Sequence, residues 1–191
     1  SARLNGKEMI GMSAKDINKI RGREVGVIFQ DPMSSLNPTM KIGKQIAETV
    51  RVHQNASKTE AMQKAISLLE KTKIPEAEKR ADQYPFEFSG GMLQRAIIAM
   101  SMACDPTLLV ADEPTTALDV TIQAQTLEVM HELQKNHGMS IILITHDLGV
   151  IAKMAHDVAV MYAGQVIEAG PVDDIFYRSS HPYTLGLRHA M

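Results

Sequence analysis

Residues 108–114 read Leu-Leu-Val-Ala-Asp-Glu-Pro, an apolar run that ends in two adjacent carboxylates. Apolar residues without strict alternation predict a strand, here over 107–111, that is buried on both faces of a helix-covered parallel sheet. Ligands of open α/β sheets bind at the carboxyl ends of the strands. There Asp112 can hold Mg²⁺, and Glu113 can polarise an attacking water. The alternative interpretation is a strand that ends in a solvated acidic turn.

Three further short apolar runs also predict strands, at residues 25–29, 140–145 and 158–162. Between the second and third strands, Asp119 is a candidate N-cap for a helix that ends near Gly138. A turn at residues 163–164 predicts that the fourth strand continues into a hairpin. Strands that alternate with helices indicate an α/β fold with a mainly parallel sheet.

The segment 31–89 has a different pattern, because helical periodicity covers residues 41–50 and 58–72 and no strand separates them. Ser57 with Glu60 three residues later predicts a capping box at the start of the second of these helices. We therefore expect a helical lobe inserted into the α/β core.

The composition argues against several classes of protein. A net charge of −2 and a pI near 6.4 provide no basic field that would attract nucleic acid. No run approaches the roughly 18 apolar residues of a transmembrane helix, so a membrane role requires a partner. The single cysteine, Cys104, has no internal disulfide partner and is expected to be a buried thiol in a reducing compartment such as the cytoplasm.

A second segment with chemical character is residues 88–95, Phe-Ser-Gly-Gly-Met-Leu-Gln-Arg, followed by a helical pattern. Glycines allow the backbone to approach a ligand closely, and the serine hydroxyl can donate a hydrogen bond. The free N–H groups and the dipole of a following helix favour phosphate. Taken alone, the same residues are better explained as a simple helix cap.

Together these two segments resemble the Walker B and signature motifs of the ABC ATPases, in the order and spacing of that family. Residues 115–119, Thr-Thr-Ala-Leu-Asp, are similar to the D-loop of the family. Thr145-His146-Asp147 resembles its switch-histidine motif, and Gln30 after the first strand resembles the glutamine of its Q-loop. The other six histidines show no metal-ligand spacing and are interpreted as ordinary surface or core residues.

The resemblance implies a P-loop NTPase-like core that binds ATP and Mg²⁺. Glu113 is then expected to be the general base, with His146 and Gln30 ordering the γ-phosphate and the attacking water. Asp112 and Gln30 are expected to serve the metal. The residues expected to contact nucleotide are Ser89, Gly90, Gly91, Gln94 and Asp119, with the signature loop serving the ATP of a partner subunit.

Two further segments narrow the resemblance to the ATPases of oligopeptide and dipeptide importers, a group that also includes nickel and metal-chelate importers. They are residues 29–38, Phe-Gln-Asp-Pro-Met-Ser-Ser-Leu-Asn-Pro, and residues 181–184, His-Pro-Tyr-Thr. Membership implies integral-membrane permease subunits, a second ATPase subunit arranged head to tail, and indirectly an extracytoplasmic substrate-binding protein. The ATPase would lie at the cytoplasmic face of the membrane. Peptide is the favoured cargo, with nickel or a metal chelate as the alternative.

The sequence departs from the family pattern in three places. Phe88 stands where leucine is more common, and Leu93 where a basic or polar residue is common; both changes are expected to alter packing and to leave phosphate contacts intact. The chain also contains no Gly-x-x-x-x-Gly-Lys-Ser/Thr, and residues 4–7 resemble the segment that follows this Walker A motif. We therefore expect a fragment that does not hydrolyse ATP alone.

The expected organisation is a partial ATPase domain. Its α/β core comprises residues 1–30 and 90–170, its helical lobe residues 31–89, and the start of a C-terminal extension residues 171–191. Two rival hypotheses remain open: an ABC ATPase that acts on DNA or ribosomes, and a regulatory module that has lost the phosphate loop.

Overall fold

The chain divides into two units, residues 1–144 and 145–191, in a computed structural model that describes residues 1–115 and 118–189. At residues 32 and 33 only the backbone is described. The first unit contains, in chain order, β1 (Arg3–Leu4), β2 (Lys7–Glu8), α1 (Ala14–Ile20), β3 (Val25–Ile28), α2 (Pro32–Ser35), α3 (Ile42–Gln54), α4 (Lys58–Lys71), α5 (Ala77–Ala81), a 3-10 turn (Pro85–Glu87), α6 (Gly90–Ser101), β4 (Leu108–Asp112), α7 (Val120–His137) and β5 (Ser140–Ile144).

The centre of this unit is a parallel sheet in the order β3-β4-β5. Ile28, Leu109 and Ala111 are fully buried. Helix α6 packs closely against β3, because a Cβ built on Gly26 would lie 2.5 Å from the carbonyl oxygen of Ser101. The predicted α/β fold with parallel strands is confirmed.

The expectation that these strands are buried on both faces is wrong for the described residues. Val27 is 37% exposed, and Ile142 and Ile144 are 51% and 49% exposed. Exposure therefore alternates along the strands, although the exposed side chains are as apolar as the buried ones. Periodicity detects apolar composition, and it does not show which face an element covers.

The helical segment follows the predicted pattern closely. Helices α3 and α4 pack together and bury Ile46, Val50 and Leu69. At the start of α4, the Ser57 hydroxyl accepts from the Glu60 backbone N–H at 3.2 Å, and the Glu60 carboxylate accepts from the Ser57 N–H at 2.9 Å. These two bonds form the predicted capping box, and hydrogen bonding from Ser57 lowers the pKa of Glu60.

Helix α7 begins and ends at the predicted caps. The Asp119 carboxylate accepts from the Ile122 backbone N–H at 2.9 Å. Gly138 closes the helix in the left-handed conformation, with φ of +62°.

Cys104 is buried as expected, and burial raises the pKa of its thiol.

The second unit contains α8 (Leu148–Met154), β6 (Asp157–Tyr162), β7 (Gln165–Pro171), α9 (Val172–Tyr177) and α10 (Pro182–His189). Strands β6 and β7 form the predicted hairpin, turning at Ala163 and Gly164 with positive φ angles of 47° and 78°. In the described residues β6 pairs antiparallel with β7 and does not extend the parallel sheet. The fourth predicted strand is therefore real, but its place in a parallel sheet is not.

Glu168 on β7 joins the hairpin to the start of α10. Its carboxylate accepts from the backbone N–H of Ser180 at 2.6 Å and of His181 at 3.3 Å. The His181 Nδ1 atom in turn accepts from the Tyr183 N–H at 3.1 Å, and the Tyr183 ring lies 4.6 Å from that of Tyr162. The His-Pro-Tyr-Thr segment thus has a local structural role, which is to begin α10 against the hairpin.

Replacement of Glu168 by Gln should remove an acid-sensitive contribution to the stability of the second unit. The hydrogen bond from the Ser180 N–H is the main cause that lowers the pKa of Glu168 in the folded protein. The ionised carboxylate therefore stabilises the fold above the unfolded-state pKa of about 4.3, and this stabilisation is lost as the pH falls through the lower folded-state pKa. We expect wild type to have the higher Tm at pH 7, with a smaller difference at about pH 3. A Tm difference that is equal at both pH values would contradict this.

Candidate functional site

The two carboxylates of residues 112 and 113 lie where the chain leaves the sheet. Asp112 ends β4 and pairs in register with Ile144 on β5. The Glu113 N–H still donates to the Ile144 carbonyl at 2.8 Å, but its backbone has φ of +45°. A left-handed conformation at a residue other than glycine costs on the order of 1 kcal/mol, and such residues cluster at functional sites. The turn therefore holds Glu113 in a fixed, strained position at the strand end.

Gln30 is brought to the same place by the neighbouring strand. Because β3 and β4 are parallel neighbours, their carboxyl ends meet at one edge of the sheet. The Gln30 Nε2 atom donates to the Glu113 Oε2 atom at 2.7 Å across 83 positions of sequence. An ionised carboxylate only accepts, so the amide nitrogen is the donor, and the Gln30 Oε1 atom is the acceptor of the same amide. Two residues that sequence analysis expected to act on one water are thus in direct contact.

The oxygen-rich character of this edge suits a magnesium ion. Mg²⁺ prefers oxygen ligands and commonly takes only one or two carboxylates, with water and substrate phosphates completing its shell. Asp112 and Glu113 are half-buried, and Gln30 adds an amide oxygen. Among the described residues no three His, Cys, Asp or Glu side chains form a complete metal cage. These oxygen atoms therefore fit a cation that takes part of its ligands from the protein and the rest from a phosphate and water.

The segment with two glycines forms the start of α6. Ser89 is the N-cap, and its hydroxyl accepts from the Met92 N–H at 3.4 Å. A Cβ on Gly91 would lie 2.5 Å from Cγ2 of Ile122 on α7, whereas a Cβ on Gly90 would meet nothing within 4 Å. Internal packing therefore requires Gly91 to be small, while Gly90 is exposed beside the free N–H groups of the helix start.

Gln94 does not lie with the accessible signature residues. Only 2% of its surface is exposed, and its Nε2 atom has no hydrogen-bond partner among the described residues. A nucleotide that approaches from solvent would not reach this side chain. Phe88 and Leu93 are also buried, so both departures from the family pattern are packing changes, as expected.

Arg95 is a structural contact that the sequence pattern did not reveal. Its guanidinium donates to the Gln125 side chain on α7 at 2.7 Å and to the Lys73 carbonyl at 3.1 Å. With the Gly91–Ile122 contact, these bonds join the helix of the signature segment to α7. No local signal identifies such partners, because they lie far apart in sequence.

The D-loop and switch-histidine residues are only partly described. Thr116 and Ala117 lie outside the described residues, and Asp119 is seen only in its capping role. His146 is exposed in the second unit, directly before the α8 N-cap Asp147, whose carboxylate accepts from the Gly149 N–H at 2.8 Å. The expected role of His146 toward the γ-phosphate therefore stays a prediction.

Comparison with known proteins supports the same interpretation. The model of the family described as ABC transporter matches residues 2–116. The chain belongs to the ABC transporter family. It is 60% identical over 188 residues to the oligopeptide transport ATP-binding protein OppD of Bacillus subtilis, covering 98% of this chain and 52% of that protein. It is 54% identical over 189 residues to the dipeptide transport ATP-binding protein DppD of Lactococcus lactis, covering 98% and 54%. This ABC family chain thus spans about half the length of these relatives.

Solved structures agree on the fold. CbiO1 from Clostridium perfringens, part of an ABC transporter complex, superimposes with a TM-score of 0.78 at 28% identity, covering 91% of this chain and 66% of that one. A dimeric ATP-binding cassette in a post-hydrolysis state, bound to ADP and Pi, gives 0.78 at 23% identity, covering 88% and 72%. The predicted ABC ATPase fold is confirmed. In the described part of the chain, no helix has the length and apolarity to cross a membrane.

The two signature glycines should respond differently to alanine. Gly91→Ala forces Cβ against Ile122 and should lower the free energy of unfolding by about 1–3 kcal/mol, the usual cost of overpacking. Gly90→Ala meets open space at the first helical position and should change it by a few tenths of a kcal/mol at most. Urea unfolding of both variants tests this. Equal destabilisation would show that Gly91 is not constrained by α7.

Proposed function

We propose that this chain is part of the ATP-binding and ATP-hydrolysing subunit that powers an ABC importer for peptides. The contact between Gln30 and Glu113 supports the proposal, because an amide and a carboxylate side by side are the groups that can orient and deprotonate an attacking water. The names of the relatives, oligopeptide and dipeptide transport ATP-binding proteins, favour peptide as cargo. Nickel or a metal chelate is the alternative that a transport assay would reveal.

In this proposal Glu113 is the general base. Its carboxylate accepts a proton from the attacking water, and the Gln30 amide holds both the carboxylate and the water in line. Asp112 and Gln30 would hold Mg²⁺, which when bound would supply charge stabilisation to the phosphate. His146 assists at the γ-phosphate. Positioning and electrostatics, with no covalent intermediate on the protein, are sufficient for this chemistry.

The signature segment acts on a second subunit. Ser89 and Gly90 are exposed at the start of α6, and the chain offers these N–H groups to an anion outside its own fold. We propose a head-to-tail dimer of two ATPase subunits in which this segment closes over the partner's ATP, with Asp119 at the crossing. Permease subunits and, indirectly, a substrate-binding protein complete the transporter at the cytoplasmic face of the membrane.

Residues 1–191 alone should not hydrolyse ATP. The chain contains no Gly-x-x-x-x-Gly-Lys-Ser/Thr, the loop whose backbone cradles phosphates and whose lysine contacts them. Phosphate release by the purified chain should equal that of a no-protein blank. A longer protein that contains this chain together with such a motif should be active. Turnover by residues 1–191 that is lost in Glu113→Gln would contradict this prediction.

In the longer protein, Glu113→Gln should abolish turnover while ATP-dependent dimerisation persists. Glutamine keeps the shape of the side chain and cannot accept the proton of the attacking water, so the rate should fall by at least about 100-fold. Steady-state ATPase assays and size-exclusion chromatography with ATP measure the two effects. Hydrolysis at the wild-type rate would remove Glu113 as the base.

Peptide-stimulated ATPase activity of the reconstituted transporter tests the cargo, and stimulation by nickel alone would favour the alternative.

A further inference from the structure

Residues 31–36 form a short segment that is held at both ends by side chains from other parts of the first unit. At its N-terminal end, Gln30 donates to Glu113 at 2.7 Å. At its C-terminal end, Asn37 is bound by Gln45, a residue of α3 in the helical lobe. We name residues 31–36 the bridging segment. It connects the catalytic carboxylate to the helical lobe through two glutamine side chains.

Gln45 uses the whole of its amide to bind the loop after the bridging segment. Its Oε1 atom accepts from the Asn37 N–H at 2.9 Å, and its Nε2 atom donates to the carbonyls of Asn37 at 2.9 Å and Met40 at 2.7 Å. Only 8% of Gln45 is exposed. A buried amide with both N–H groups and its oxygen engaged has one favoured position, because any displacement leaves buried polar groups unpaired.

The loop that Gln45 binds is itself rigid. The Asn37 Oδ1 atom accepts from the backbone N–H of Thr39 at 3.0 Å and from its hydroxyl at 2.8 Å, which forms a tight polar turn. Leu36, at the end of the bridging segment, is buried at 5% exposure. The C-terminal end of the segment is therefore fixed both by packing and by hydrogen bonds.

The bridging segment is short and is closed by hydrogen bonds within itself. Its centre is the short helix α2, and the hydroxyls of Ser34 and Ser35 donate to the Asp31 carbonyl at 2.9 and 3.1 Å. Gln30, in contrast, is exposed where it meets Glu113. Because the segment between them is short, the anchor at Asn37 limits where the chain can place the Gln30 amide.

We propose that Gln45 is a positioning residue for hydrolysis. It anchors the bridging segment to α3, so that the Gln30 amide stays within hydrogen-bond distance of Glu113. Gln45 and Glu113 are 68 positions apart in the sequence. This inference rests on the proposed function, because it assigns Gln45 to the same reaction.

The first test uses the chain itself and does not depend on activity. Gln45→Met keeps the length and helix preference of the side chain and removes all three bonds to the loop. The control is Thr49→Val on the same helix, which loses only the 3.3 Å bond to the Gln45 carbonyl. In NMR spectra, Gln45→Met should move the Gln30 side-chain amide resonances toward the values of a free glutamine, and Thr49→Val should leave them in place. Unmoved Gln30 resonances in folded Gln45→Met would overturn the proposal.

The second test is a double-mutant cycle in the longer, active protein. Gln45→Met should lower kcat about tenfold or more and leave the KM for ATP within about twofold, since misplaced catalytic groups reduce turnover more than binding. In a Gln30→Ala background the same change should have little further effect, because the group it positions is gone. Equal losses of kcat in both backgrounds would show that Gln45 acts through stability alone.

Two outcomes separate this inference from the proposed function. An inactive wild-type protein would contradict the proposed function, and the NMR comparison would still decide whether Gln45 positions Gln30. If Gln45→Met does not fold, Gln45→Asn keeps the amide group and is one methylene too short to reach all three loop groups at once. That variant should show the same changes to a smaller degree, and wild-type behaviour in both tests would overturn the proposal.

Discussion

The hydrogen bond from Gln30 to Glu113 is the interaction on which the candidate site depends. It joins the ends of two parallel strands, and it is charge-assisted because a carboxylate accepts it. The strained backbone of Glu113 fixes one partner, and the segment anchored by Gln45 fixes the other. Two further constraints thus fix this contact, and the geometry of the site depends on the sheet and on the helical lobe together.

The remainder of the first unit supports this arrangement through close packing. Gly26 lets α6 approach the sheet, and Gly91 lets α6 approach α7. Arg95 adds one hydrogen bond between the same two helices, to Gln125. As a result, the carboxylates at the sheet edge and the exposed start of α6 belong to one packed body, in which the positions of Ser89 and Asp112 are set by shared neighbours.

Much of the fold and part of the site were predictable from sequence because local physics decides them. Apolar runs gave the strands, and the caps at Asp119 and Ser57 followed from short-range hydrogen bonding. The contact between Gln45 and the loop before it was not predictable, since no pattern in the sequence marks Gln45 as a buried amide. The burial of Gln94 was missed because a motif does not show which side of a helix faces the core. The sheet of β6 was misassigned because strand periodicity does not identify the pairing partner.

The most direct test of the central claim is a pH titration of the Gln30 side-chain amide resonances by NMR. If the amide donates to Glu113, these resonances should shift in one carboxyl titration, and the shift should vanish in Glu113→Gln. The shift should persist in Asp112→Asn, which alters the neighbouring carboxylate and leaves the hydrogen bond intact. Gln30 resonances that do not change with pH, or that titrate equally in Glu113→Gln, would contradict the account.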